Sequence, residues 1–176
     1  MSEDRFEFRD IVVALLDNAL VEAQAGRCQE IEVELGDDAV RVTDDGIGLP
    51  VHAHPQSGRA LVEVIMTGPR RGPRNTLAKL TAACAWLDVE VNTDGALWFQ
   101  RFEFARPATE LERRGAATRQ GTTITCAPIN GEPPSFEDLR DYLRRLAEEG
   151  LKRPVKIRLL DRRAGRDETI QVEAQA

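Results

Sequence analysis

The chain has 176 residues, 41% of them hydrophobic and 31% charged, a composition that supports one folded domain over residues 1–176 and excludes a wholly disordered chain. No apolar run approaches the roughly 20 residues of a bilayer span, and 24 basic against 30 acidic residues leave a net charge of -6, which excludes a uniformly basic surface and argues against direct DNA binding. Cys28, Cys84 and Cys126 are widely spaced and form neither a metal-ligand pair nor an even disulfide framework, and the acidic start Met1-Ser2-Glu3-Asp4 lacks a signal-peptide pattern, so a reducing cytoplasm without membrane association is expected.

The first element is a helix from about Phe6 to Ala25. Phe8, Ile11, Val12, Leu15, Leu16, Ala19 and Leu20 recur at helical spacing, and Gly26 marks the stop. Ile31 to Leu35 and Ala39 to Thr43 alternate apolar and polar residues across Gly36-Asp37-Asp38, the pattern of a β-hairpin. Asp44-Asp45-Gly46-Ile47-Gly48-Leu49-Pro50 reads as a loop. Ser57 is a candidate cap for a helix to about Met66.

Two prolines and two glycines interrupt the stretch from Gly68 to Arg74, so it is irregular. Thr76 to Leu87 is small and apolar enough for a buried helix. Strands follow at about Asp88–Asn92, Ala96–Phe104 and Thr122–Cys126, the first two joined through Thr93-Asp94-Gly95. Ala105 to Gln120 reads as a polar loop. Ser135, with Asp138 three residues on, opens a helix whose apolar face carries Phe136, Leu139, Tyr142, Leu143 and Leu146. Val155–Leu160 and Glu168–Val172 make a last hairpin. The order predicts a mixed or antiparallel sheet with helices on one face, a two-layer α/β sandwich.

Taken singly, the polar residues are ordinary. An asparagine such as Asn18 on an apolar helix is most often a surface residue. Asp44 and Asp45 before two glycines are most often a turn. His52 and His54 lack the further ligands of a metal site, and Cys84 reads as a small core residue. Gly46 and Gly48, however, remove side chains, which lets a flat ligand lie against bare backbone beside a carboxylate.

Leu16-Asp17-Asn18-Ala19 within Val13 to Gly26, Asp44 to Pro50, His54-Pro55, Gly58, Glu63-Val64-Ile65-Met66-Thr67 and Gly121-Thr122 occur in one order. Together they resemble the ATP-binding domain of the DNA gyrase B and topoisomerase IV subunits, of the GHKL superfamily, from about Phe6 to Val172. The resemblance implies the Bergerat α/β sandwich, in agreement with the pattern reading. It also implies that Asn18 coordinates the Mg²⁺ on ATP or ADP phosphates and that Asp44 accepts the adenine amine. Gly46, Gly48 and Thr122 would line the adenine site, with Thr122 holding a water and Pro50 at the entrance. Leu15, Ala19, Val42, Leu49, Ile65, Met66 and Ile124 would form apolar walls. Aminocoumarin-type inhibitors are implied as further ligands.

Four departures from that family matter. The family's catalytic glutamate, four residues before the asparagine, is Ala14 here, so no catalytic residue is expected. The glycine-rich lid is cut to Gly68–Thr76, where Arg70, Arg71 and Arg74 are candidate phosphate contacts. The arginine usually found between the two glycines, able to pair with the acid at Glu22, is Ile47. After Val172 the resemblance lends no transducer or DNA-cleavage domain.

The expectation is an adenine-nucleotide-binding domain with impaired or absent hydrolysis, a sensor or regulatory partner of an unidentified protein. The alternatives are an active ATPase with its base relocated to Asp10 or Asp17, and an interaction module on the same fold that has abandoned nucleotide.

Overall fold

The computed structural model describes residues 6–69 and 76–175. Helix α1, Phe8–Gln24, buries Ile11, Val12, Leu15, Leu16, Ala19 and Ala23 along one side. It is capped by Glu7 and Asp10 in a reciprocal capping box. Strands β1, Glu30–Leu35, and β2, Val40–Asp44, form the expected hairpin.

Helix α2 is shorter than expected, Leu61–Thr67 with Ala60 at its N-cap. Ser57 does not cap it. The chain instead turns through His54–Gly58, where Gly58 takes φ +69 and its N–H donates to the His54 carbonyl at 2.9 Å. The His54 imidazole Nδ1 accepts the Gln56 and Ser57 N–H groups in that turn, each at 3.3 Å.

Helix α3 covers Thr76–Ala83, and the chain passes directly into β3, Cys84–Thr93. The expected helix to Leu87 is therefore corrected: Cys84 to Leu87 are strand. Leu87 lies between Phe102 of β4, Ala96–Glu103, and Cys126 of β7, Gly121–Pro128. Pairing on both sides outweighs the helical preference of a short apolar run.

The polar stretch before β7 is also corrected. It contains β5, Arg106–Pro107, and β6, Glu112–Ala116, both laid along β4. Their charged, exposed residues are typical of protected sheet edges and leave no hydrophobic alternation to read.

Helix α4, Phe136–Glu149, begins where expected: the Ser135 hydroxyl oxygen accepts the Asp138 N–H at 3.1 Å and the hydroxyl donates to Asp138 at 2.7 Å. Strands β8, Val155–Asp161, and β9, Arg166–Val172, close the chain as a hairpin.

The strand order is β5-β4-β3-β7-β2-β1-β8-β9, with β6 also on β4. The β1–β8 pair is parallel and the other strand pairs are antiparallel. Val33, Val40, Val42, Val89, Val91, Ile124, Ile157 and Leu159 form the inward face of the sheet. They share one core with the buried sides of α1 and α4. This is the expected α/β sandwich, with a mixed sheet and one helical layer. Among the described residues no helix is long and apolar enough to cross a membrane.

Candidate functional site

The site forms where α1 crosses the end of β2. Asp44 is the last residue of β2, and on β7 the inward positions at the same end are Thr122 and Ile124, the latter paired with Val42. The alternation of two neighbouring strands therefore brings the carboxylate and the Thr122 hydroxyl to one side, under α1.

Asp44 is 6% exposed. Its Oδ1 accepts the Gly46 N–H at 2.8 Å and the Thr122 N–H at 3.4 Å. Among the described residues no donor reaches Oδ2. Burial raises the Asp44 pKa above the ordinary carboxylate value, the Gly46 and Thr122 N–H groups pull it down, Glu22 raises it, and Arg119 lowers it. The result is a buried carboxylate with one oxygen tied down and one without a donor. That second oxygen is left accessible to a donor entering from outside the protein.

Glycine is required by close approach here. A Cβ at Gly46 would sit 2.8 Å from Asp44 Oδ1, and one at Gly121 would sit 1.9 Å from the Asp44 carbonyl oxygen. Gly48, with φ +86, packs against Val91 and Asn92 of β3. Beyond it, the Leu49 N–H donates to Thr122 Oγ1 at 3.1 Å, which fixes the loop to β7 and leaves the Thr122 hydroxyl proton for another acceptor.

Leu15, Ala19, Val42, Met66 and Ile124 are buried in the common core, with Leu49 and Ile65 packed against it. Pro50 is half-buried and Ile47 is 50% exposed. Asn18 is half-buried on α1, and its side chain makes no hydrogen bond to another described residue. Ala14, one turn earlier, is 9% exposed. Its methyl group offers nothing that could accept a proton.

Asp10 and Asp17 do not converge on this site. Asp10 accepts the Glu7 N–H at 3.0 Å in the helix cap, and Asp17 is near enough to Tyr142 of α4 to raise that phenol's pKa, after burial. Arg70, Arg71 and Arg74 lie outside the described residues. Among those described, no group of three or more His, Cys, Asp or Glu converges as a metal site.

Sequence reading missed Arg119. Its guanidinium donates to the Asp44 carbonyl at 3.1 Å and to Thr123 Oγ1, holding β2 and β7 together from the open side of the sheet. It lay unmarked in the polar stretch before Gly121, and nothing local distinguished it. Asp45, next to Asp44, turns away and accepts the Gln29 and Glu30 N–H groups at 2.7 and 3.0 Å.

A mixed sheet under one helical layer, with a buried carboxylate at the end of β2 beside a bare glycine, fits an α/β sandwich of the GHKL ATPase class. The chain belongs to the family described as "Histidine kinase-, DNA gyrase B-, and HSP90-like ATPase", which it matches over residues 3–128. It is 35% identical over 197 aligned residues to the DNA gyrase B protein of Haloferax volcanii, covering 98% of this chain and 30% of that protein. It is 31% identical to the DNA gyrase B protein of Thermotoga maritima, covering 93% of this chain and 28% of that protein. The chain thus spans about a third of the length of these relatives. Its fold superposes with a TM-score of 0.80 and 28% identity on the crystal structure of the 43K ATPase domain of Thermus thermophilus gyrase B in complex with an aminocoumarin, covering 95% of this chain and 46% of that one.

Proposed function

We propose that this gyrase-B-like domain binds adenine nucleotide and holds it without efficient turnover, as a nucleotide sensor or regulatory partner of another protein. The observation that carries the reading is the pairing of a prepared adenine edge with an absent base. Asp44 offers an accessible Oδ2, with no donor among the described residues, to an exocyclic amine, the position at 46 is bare, and Thr122 has a hydroxyl proton to give a bridging water. Ala14 stands where active members carry glutamate.

Asn18 is the one candidate for Mg²⁺ on the phosphates, and its unengaged amide fits that task. The metal, when bound, would neutralise phosphate charge. The walls from Leu15, Ala19, Val42, Leu49, Ile65, Met66 and Ile124 would exclude water from the purine, with Pro50 at the entrance. Gly48 would keep the loop close to β3. Arg70, Arg71 and Arg74 are candidate phosphate contacts. The same pocket would admit an aminocoumarin, a reading supported by the Thermus thermophilus domain's having been crystallised in complex with one.

Loss of a positioned general base costs about 10²–10⁴ in rate. The relocated-base reading has no support, because Asp10 is engaged in the helix cap and Asp17 lies towards α4.

Titration calorimetry with MgADP tests the binding. Saturable heat is expected from the native chain. Asp44→Asn, which turns an amide N–H₂ toward the adenine amine, is expected to weaken binding by roughly ten- to a hundredfold, the worth of a hydrogen bond to a charged group. A folded native chain that gives no heat at millimolar nucleotide would contradict the reading and favour the interaction module.

A further inference from the structure

Glu22 stands one helical turn beyond Asn18 on the side of α1 that meets the loop at Gly46. A Cβ built on Gly46 would lie 3.5 Å from the Glu22 Cβ. The Glu22 carboxylate works against Asp44 even when paired, and an unpaired one would do so more strongly, because a second negative charge disfavours ionisation of the first. The other charged groups around Asp44 are few. Arg119 approaches from the β6–β7 connection, and Asp45 is turned onto the start of β1. The nearby Cys28 thiol is pushed up to about 12, mainly by burial, and stays neutral.

The end of α1 supplies a counter-charge. Gly26 takes φ +75 and closes the helix in a Schellman turn. Its N–H donates to the Ala23 carbonyl at 2.9 Å, and the Arg27 N–H reaches back to the Glu22 carbonyl at 2.9 Å. The turn thereby lays residue 27 beside residue 22. Apolar residues often meet at these two positions, but here Arg27 Nε and Nη2 each donate to a Glu22 carboxylate oxygen at 2.8 Å. Ile47, on the loop itself, has no charge to offer.

We propose that Arg27 is a positioning residue for the nucleotide site: by pairing with Glu22 at the end of α1 it offsets part of the negative charge that Glu22 turns on Asp44, so that Asp44 meets the adenine amine as an anion. The inference rests on the reading of the site given above. A cation delivered by the helix-terminating turn takes the place of one on the loop.

The test is MgADP affinity between pH 5 and 8 for the native chain, Arg27→Ala, Arg27→Lys, Glu22→Gln and Arg27→Ala/Glu22→Gln, with circular dichroism to establish folding. Arg27→Ala is expected to weaken binding about threefold, in keeping with an exposed ion pair. The defect should grow as pH falls, because an unshielded Glu22 moves protonation of Asp44 upward. Arg27→Lys should retain part of the affinity, and the double variant should return at least to native affinity and lose the pH-dependent defect. A double variant as weak as Arg27→Ala, or Arg27→Ala indistinguishable from native at every pH, would overturn the proposal. Failure of the native chain to bind at all would instead overturn the reading of the site on which it rests.

Discussion

At the residue scale, Asp44 concentrates both the cost and the use of the site. Its folded pKa lies above the ordinary value of 3.8, chiefly through burial. The folded state therefore takes up this proton more readily than the unfolded chain. The ionised group is a stability cost above its folded pKa, and that cost is relieved as pH falls through it. Asp44→Asn removes the charge while keeping an oxygen for the Gly46 and Thr122 N–H groups. We expect its melting temperature at pH 7 to equal or exceed the native value, and the gap to close as pH is lowered towards 4. A large loss of stability at pH 7 would show the carboxylate to be a structural anchor. Paired with lost nucleotide binding, the expected result is the signature of a residue kept for function.

The meeting of Asp44, Gly46 and Thr122 was legible because the types and their order recur in a known family; Asn18 and Gly48 enter the proposed site on the same resemblance. Arg119 and Arg27 were not. One works through a contact to a backbone carbonyl across the sheet, the other through a turn at a helix end, and neither leaves a pattern in the residue types themselves.

At the scale of elements, local chemistry was readable wherever it decided the outcome. Gly26 ended α1 and Ser135 began α4, each by satisfying backbone groups that a helix end leaves without partners. Ser135→Ala is expected to cost about 1 kcal/mol and, for a chain of this size, to lower the melting temperature by roughly 2–4 °C. An unchanged melting curve would show that packing of Phe136, Leu139 and Leu143 holds the helix start without the cap. Legibility failed where tertiary pairing decided. Cys84 to Leu87 join the sheet because β4 and β7 flank them, and β5 and β6 form because β4 would otherwise present an open edge. Phe104 and Ala105 turn that corner at φ +47 and +63, a conformation for which Asn-Gly is the usual signal, so no hairpin was visible there.

At the scale of the whole molecule, the sandwich and the family follow from one set of features: an amphipathic first helix, a hairpin ending in an acid, and a glycine-bared loop that both elements enclose. The matched gyrase proteins are more than three times as long as this chain, and the alignment with the Haloferax volcanii protein runs over more positions than the chain has residues. That relative therefore carries segments that this chain lacks. On the proposed reading, a domain that keeps the adenine edge but not the glutamate reports which nucleotide is present.

The most direct measurement is the chemical identity of the nucleotide that stays bound. The chain is incubated with MgATP, passed rapidly through a desalting column, and the protein-bound nucleotide is extracted and separated over several hours. We expect stoichiometric nucleotide recovered as intact ATP, with phosphate release no faster than in protein-free buffer. Recovery as ADP with steady phosphate release, abolished by Asn18→Ala, would contradict the account, as would protein that elutes with no nucleotide.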